Sequence, residues 1–277
     1  MFFKEVFGLA LSLHQLTVVD AEPHDLIDIA NRLGLTGVCL FTHVPAAAAG
    51  RYPLVSAHDV AALRTKLHDS GMTLSNLEIF PLDRSGARED FESCLAIGSA
   101  LGAARATAHL HDVSSEQDAV DRFARFAISA AAHGIVAGLE FNAFSAVRTL
   151  PAAERIVRAA GCGLVVLDML HAVRSGAAPC DVERAADLIG YVQLCDGPVT
   201  MPEERRWHEA VRERLPAGEG EFPLLALARA LRREVLFDIE VPQSAARKAG
   251  ISGFDRAQRA VEASRRFLAE WEEARAC

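Results

Sequence analysis

A closed parallel barrel of eight strand–helix units, a (β/α)8 TIM barrel, is the fold class this sequence predicts, and three observations carry it. Short β-branched or apolar runs alternate with longer amphipathic Ala/Arg/Glu-rich segments along all 277 residues. That alternation is the mark of successive βα units. Several amphipathic segments stop at a glycine, at Gly34, Gly71, Gly102, Gly134 and Gly161, the residue suited to the left-handed position that ends a helix before the next strand. No linker, low-complexity tract or shift in composition divides the chain, so residues 1–277 read as one domain. Right-handed crossovers close a long series of such units into a barrel. An open doubly wound sheet is the competing arrangement, and its dinucleotide-binding form has no support, because the first βα turn carries no GxGxxG.

The elements follow in order. VFGLALSL (6–13) is the first strand. It belongs to an apolar N-terminus without a basic leader or a small-residue cleavage site, which favours a strand over a signal peptide. The helix PHDLIDIANRLG (23–34) follows. TGVCLF (36–41) precedes SAHDVAALRTKLHDSG (56–71), TLSNLEIF (73–80) precedes REDFESCLAIGSALG (88–102), and RATAHLH (105–111) precedes the helix of 115–134. IVAGLEF (135–141) leads to TLPAAERIVRAAG (149–161), whose Leu150-Pro151 places proline in a first helical turn. CGLVVLD (162–168) precedes HAVRSG and CDVERAADL; YVQLC (191–195) precedes a polar insertion at 200–221 and the helix FPLLALARALRR. EVLFDIE (234–240) and the helix of 253–274 close the series.

Composition narrows the function. Acidic residues outnumber basic ones, 37 to 29, for a net charge of −8, which opposes a nucleic-acid or anionic-membrane partner, since phosphate binding needs a positive surface. No apolar run reaches the length of a membrane-spanning helix. The cysteines at 39, 94, 162, 180, 195 and 277 form no CxxC pair, and a chain this long needs no disulfide framework, so a reducing, cytoplasmic compartment is expected.

The mouth of such a barrel is formed by the carboxyl ends of its strands. Alternation decides which side chains point inward. Gly138 and Glu140 share a face in strand five, Val166 and Asp168 in strand six, Tyr191 and Gln193 in strand seven, and Asp238 and Glu240 in strand eight. Four consecutive strands therefore end in an inward Glu, Asp, Gln and Glu. One such acid is ordinarily a helix N-cap or a solvated loop residue; four on neighbouring strands are not. Three carboxylates crowded together repel one another strongly, and a divalent cation removes the conflict. Gln193, otherwise a costly amide in an apolar strand, then offers its oxygen as a fourth ligand. All-oxygen donors favour Mn²⁺ or Mg²⁺, with Co²⁺ next, acting as a clamp and Lewis acid on substrate oxygens.

With these residues in place the chain resembles the xylose isomerase-like TIM barrels, the sugar phosphate isomerase/epimerase superfamily. The resemblance spans HDLIDIANRLGLTGVCL, GLEFN, LVVLDMLHAVRSG, YVQLCDG, AGEGEFPL and LFDIEVPQ. It implies that Glu140, Asp168, Gln193 and Glu240 ligate the metal and that His171, in the D-x-x-H of strand six, contacts substrate oxygen. It further implies proton removal next to a carbonyl of a small polyhydroxy substrate, with Glu140 and Glu240 as the acid/base pair of an isomerase or epimerase. The ketose epimerases of this superfamily carry histidine where this chain has Gln193. Glutamine there looks like the 3-dehydroshikimate dehydratase branch, in which His171 would be the base of a lyase. Barrels of this kind often form homodimers.

Other polar residues are weaker candidates. His109 and His111 share a face at the end of strand four. His14 and His43 end strands one and two, and Glu78 points inward in strand three if Asn76 does. Arg51, beside Tyr52 in the loop after strand two, would clamp an anion if it faced the mouth. Arg205, Arg206 and Arg214 read as a solvated charge run, with Trp207 beside them as a lid contact. An AP-endonuclease-type barrel would need metal-binding histidines and a basic face, which this chain lacks. A non-catalytic binding barrel would have no reason to keep Glu140, Asp168 and Glu240.

Overall fold

The computed structural model describes residues 10–45, 48–82, 91–232 and 234–276. Eight parallel strands close into one barrel in sequence order: β1 (Leu11–His14), β2 (Gly37–Phe41), β3 (Thr73–Pro81), β4 (Arg105–His109), β5 (Val136–Glu140), β6 (Leu164–Asp168), β7 (Ile189–Leu194) and β8 (Leu236–Ile239). β1 pairs with both β2 and β8, so no edge is left open. The residues expected to begin the first strand, 6–9, and those expected to begin the helix of the third unit, 88–90, lie outside the described residues.

The helices are α1 (Pro23–Arg32), α2 (Val60–Ser70), α3 (Phe91–Leu101), α4 (Glu116–Ala132), α5 (Leu150–Ala160), α6 (Met169–Arg174), α7 (Pro179–Ala185), α8 (Glu203–Arg212), α9 (Leu224–Ala228), α10 (Ser244–Lys248) and α11 (Gly253–Ala276). Local chemistry sets their ends. Thr149 caps α5 through a hydrogen bond from the Ala152 N–H, Pro151 sits in its first turn, and Gly161 closes it at φ 68°. Ser115 caps α4 in the same way.

Three elements depart from the sequence expectation. β4 ends at His109 rather than 111. Much of the polar insertion at 200–221 is helix, α8, because its Glu- and Arg-rich stretch is a strong helix former once one face is anchored. The helix expected over FPLLALARALRR is one short turn, α9.

Outward strand residues such as Leu139, Phe141, Phe237 and Ile239 are buried under the helices. α11 seals β8: Trp271 meets Phe237 edge-on at 5.2 Å and donates its indole N–H to the Ala228 carbonyl at 2.7 Å. Replacing so large a buried side chain by alanine costs about 3–5 kcal/mol. Inside the barrel a polar layer forms the floor. Tyr191 donates to Asp238 at 2.5 Å and Ser12 donates to its other oxygen. Burial pushes the Asp238 carboxyl up to about 6, against the opposing influence of His14 and these two donors.

Candidate functional site

The four strand-end residues are all buried, from 0 % exposed at Gln193 to 5 % at Glu240. Register explains how they meet. Glu140 pairs with Val166, Asp168 with Gln193, and Gln193 with Asp238. Asp168 thus lies two residues further along its strand than the partner of Glu140, and Glu240 two further than the partner of Gln193. A barrel of this kind slopes by about one residue per strand, so this stagger brings the side chains to one height at the mouth.

Asp168 has two duties. Its Oδ1 accepts from the backbone N–H groups of Leu170 at 2.7 Å and His171 at 3.3 Å, capping α6. Its Oδ2 accepts from Arg214 Nη1 at 2.8 Å. The cap turns the chain so that His171 stands one helical turn above the acid. His171 Nε2 lies 3.5 Å from Glu140 Oε1 and 3.8 Å from Asp168 Oδ2, and His109 Nε2 lies 3.1 Å from Glu140 Oε2. Glu140, Asp168 and His171 place ligand atoms within 4.8 Å of one another.

Arg214 is the residue the strand-end reading missed. Far from a solvated charge run, it is 5 % exposed, and its guanidinium reaches both Asp168 and Glu240 (3.3 Å to Glu240 Oε1). Two features place it there. The backbone of 213–215 lies extended between the ends of β7 and β8, bridged to Gln243 on one side and Asp196 on the other. α8, which leads into this segment, is pinned by the buried Arg174–Glu209 pair, whose two contacts measure 2.5 and 2.7 Å. Loop residues carry no periodicity, so nothing in the spacing of Arg214 announces its burial.

The electrostatics follow. Burial pushes Glu140 up, reinforced by Glu78 and Asp168. Burial likewise pushes Glu240 up, since Arg214 lies closer to Asp168 and only partly compensates. Burial would raise Asp168 too, but Arg214 and then His171 outweigh it and hold it below the usual range. His171 is pushed down to about 4, by burial first, with Arg214, His109 and His111 adding to it against the pull of Asp168. It is therefore a neutral imidazole near pH 7.

The donor set fits a divalent cation. Gln193 Oε1 and Glu240 Oε2 are buried without a hydrogen-bond partner, a costly state for polar atoms. When Glu140, Asp168 and Glu240 are all ionised, the one guanidinium of Arg214 leaves two negative charges uncompensated, the charge a dication brings. Without that charge, burial drives Glu140 and Glu240 toward their neutral forms. Arg214 also corrects the expectation that only a metal could make this cluster tolerable: it supplies part of the compensation itself.

Above these groups opens a cavity of about 170 Å³ continuous with solvent. Glu140, Glu240, His171, His109, His111, Glu78 and Arg214 line its polar part, and Leu16, Phe41, Tyr52, Ile79, Phe144, Trp207 and Val211 its apolar wall. Trp207 packs edge-on against Phe144 at 5.1 Å, and Phe144 against His171 at 6.1 Å. Five candidates do not line the cavity: Asp168 and Gln193, which are buried at 1 % and 0 % exposure, Arg51, His14 and His43. Arg51 is exposed at the surface, and His14 is buried beneath the mouth against Glu78 at 2.8 Å. His43 stacks among Phe80 and Phe91 instead. The AGEGEFPL motif is explained structurally: Asp196 accepts from the N–H groups of Gly197, Gly218 and Phe222, clasping that loop to the end of β7. Among the described residues, Cys39, Cys94, Cys162, Cys180 and Cys195 form no disulfide. Among the described residues no helix is long and apolar enough to cross a membrane.

A parallel eight-stranded barrel with buried oxygen donors converging at its carboxyl-terminal mouth is the class that fold and site define. The chain belongs to the xylose isomerase-like TIM barrel family, whose model matches residues 27–271. Solved structures agree on the fold. The IOLI protein with a binding zinc atom superposes with TM-score 0.78 at 16 % identity, over 95 % of this chain and 99 % of that one. The probable 3-DHS dehydratase AsbF of Bacillus anthracis gives 0.69 at 15 % identity, over 92 % and 98 %. D-psicose 3-epimerase in the presence of D-fructose gives 0.68 at 19 %, over 94 % and 99 %. The chain spans 39 % of another match, a xylose isomerase-like TIM barrel/4-hydroxyphenylpyruvate dioxygenase fusion protein, at 20 % identity and TM-score 0.70, with 85 % of this chain covered. No curated protein matches the sequence.

Proposed function

We propose that this chain is a divalent-metal-dependent enzyme that removes a proton from a carbon next to a carbonyl in a small polyhydroxy substrate, as an isomerase or epimerase. The observation that carries the reading is the cluster of Glu140, Asp168 and His171, whose ligand atoms lie within 4.8 Å of one another, together with the buried oxygens of Gln193 and Glu240 left without hydrogen-bond partners. Glu140, Asp168, Gln193 and Glu240 would hold the cation, Mn²⁺ or Mg²⁺ by the hardness of the donors. When bound, it supplies Lewis acidity toward a carbonyl and a neighbouring hydroxyl. The remaining work belongs to the side chains. Glu140 and Glu240 stand three strands apart around the mouth, so a substrate seated between them meets one carboxylate on each side. One takes the proton and the other returns it. Arg214 holds Asp168 ionised, partly offsets the burial of Glu240, and offers donors to developing negative charge. Phe144 and Trp207 cover the approach and limit water.

A lyase of the 3-dehydroshikimate dehydratase type is the second reading, and two observations favour it. Glutamine rather than histidine stands at position 193, and the aromatic wall of Phe41, Tyr52, Phe144 and Trp207 suits a ring better than an open polyol. In that reaction neutral His171 takes the proton and then protonates the departing hydroxyl.

The test is to incubate the Mn²⁺-loaded protein with ketohexoses in D₂O and, separately, with 3-dehydroshikimate. Deuterium incorporation at carbon supports the first reading, and growth of an aromatic ultraviolet band supports the second. Failure of the protein to bind any divalent ion would refute both.

A further inference from the structure

An amide ligand carries a problem that a carboxylate does not. The two ends of Gln193 have nearly the same shape, yet only the oxygen can hold a cation, while the NH₂ end repels one. Whatever fixes the rotation of that amide decides whether the site has four ligands or three.

Glu78 meets it from β3, which stands opposite β7 across the barrel. Gln193 Nε2 donates to Glu78 Oε1 at 2.9 Å. Glu78 is 3 % exposed. The same Oε1 accepts from Asn76 Nδ2 at 3.1 Å, and Oε2 lies 2.8 Å from His14 Nε2. The tautomer of His14 is set from behind. Its Nδ1 accepts the Leu16 backbone N–H at 3.0 Å, so Nε2 carries the proton and donates it to Glu78. With donors on both oxygens, Glu78 is held as an acceptor. A carboxylate offers only lone pairs, so the nitrogen of the Gln193 amide must be the end that faces it. Oε1 is thereby turned away from Glu78, and it is the buried oxygen that has no partner. The opposite rotation would press amide oxygen against carboxylate oxygen.

We propose that Glu78 is a positioning residue for the metal centre: braced by His14 and Asn76, it locks the Gln193 amide so that its oxygen is presented to the cation. This rests on the metal reading above. The same observations answer a rival use of this cluster. His14, Cys39 and Glu78 bring ligand atoms within 4.8 Å of one another, a set that could hold an ion of its own. Because Nδ1 of His14 is engaged by Leu16 and Nε2 bears a proton, His14 has no lone pair to give, and the trio is a hydrogen-bonded brace.

A mutant cycle on the full chain tests the role, read by Mn²⁺ affinity from calorimetry with chelator competition and by the visible spectrum of the Co²⁺-loaded protein. Glu78→Gln keeps an acceptor for His14 at the Oε2 position but puts an NH₂ group at the Oε1 position, where it faces both Asn76 and Gln193. Asn76 still has Thr107 as an acceptor, whereas Gln193 must turn its oxygen toward the new amide. Mn²⁺ affinity should fall at least tenfold and the Co²⁺ bands should shift, with the melting temperature of the metal-free protein held within a few degrees. In a Gln193→Glu background either rotation presents an oxygen, and the same change removes a facing carboxylate. There Glu78→Gln should leave Mn²⁺ affinity equal or tighter. Equal affinity and identical Co²⁺ spectra for wild type and Glu78→Gln would overturn the proposal. So would the same loss in both backgrounds, which would make Glu78 a ligand itself. A wild-type protein that binds no Mn²⁺ would overturn the metal reading, and this role with it.

Discussion

Arg214→Met deletes one charge while keeping most of the buried stem, and its consequences can be worked from the contacts. The guanidinium lies 2.8 Å from Asp168 Oδ2 and 3.3 Å from Glu240 Oε1, with all three side chains no more than 6 % exposed. At an effective dielectric near 20, each attraction is about 5–6 kcal/mol before desolvation is counted. Breaking such a buried cluster by removing one partner costs about 3–5 kcal/mol net, because the remaining carboxylates are left uncompensated. With an unfolding entropy of ~2.1 cal/mol/K per residue, a chain of 277 residues loses ~5–9 °C of melting temperature for that change. Scanning calorimetry of metal-free protein measures it. Saturating Mn²⁺ should then raise the melting temperature of the variant more than that of the wild type, since the cation replaces the lost charge. A metal-free variant melting within a degree of wild type would refute this reasoning, for it would mean that no buried carboxylate, Asp168 included, depends on the Arg214 charge.

Other substitutions probe the remaining assignments. Glu140→Gln and Glu240→Gln should each lower turnover on a responsive substrate by ~10²–10⁴-fold, with circular dichroism unchanged; full activity in either removes that residue from proton transfer. Gly220→Ala would place a Cβ 2.4 Å from Asp196 Oδ1 and 2.6 Å from the Gly197 backbone. It should destabilise by about 1–3 kcal/mol, seen as a lower denaturant midpoint. Asp20→Asn addresses pH. Burial works to raise Asp20, but its hydrogen bond with buried Arg256, a backbone hydrogen bond and the charges of Arg256 and Arg247 together outweigh this and hold the carboxyl below its ordinary value. The unfolded chain then binds more protons in the acid range, so this contribution is present above pH ~4 and is lost as pH falls through the folded-state pKa. The wild type should exceed Asp20→Asn by roughly 1–2 kcal/mol at pH 7, less than a sealed pair gives because Asp20 is about one-third exposed. That gap should close as pH drops below 4, followed by urea titrations across the range.

The barrel was readable because its evidence is periodic. Each strand–helix unit repeats the same apolar pattern, and two-residue alternation in β5–β8 is enough to turn Glu140, Asp168, Gln193 and Glu240 inward. Elements without a period were not readable. Arg214 follows an extended turn, and its burial depends on the Arg174–Glu209 pair and on bridges to Asp196 and Gln243, contacts between segments far apart in sequence. Arg51 illustrates the converse: a loop arginine near the mouth in sequence lies outside it in space. His14 was placed at the right strand end, but only the three-dimensional neighbourhood distinguishes a residue facing the cavity from one bracing Glu78 below it.

Asp168 shows why structural and functional readings of a strand-end acid need not compete. A helix N-cap uses one carboxylate oxygen, and here Oδ1 is taken by the N–H groups of Leu170 and His171. Those bonds fix the carboxylate plane, which aims Oδ2 at the site, and they also set the direction in which α6 departs. That direction carries His171 to within 3.5 Å of Glu140. The spacing D-x-x-H is thus one mechanical device: the cap that starts the helix delivers the imidazole to the mouth. An Asp168→Asn variant would retain the capping oxygen while surrendering the charge that Arg214 answers. Capping and electrostatics can therefore be separated at this single position: the near-ultraviolet signature of the Phe144–Trp207 pair above His171 should persist, while divalent-ion affinity falls. Loss of both together would show that the orientation of α6 depends on the charge and not on the cap.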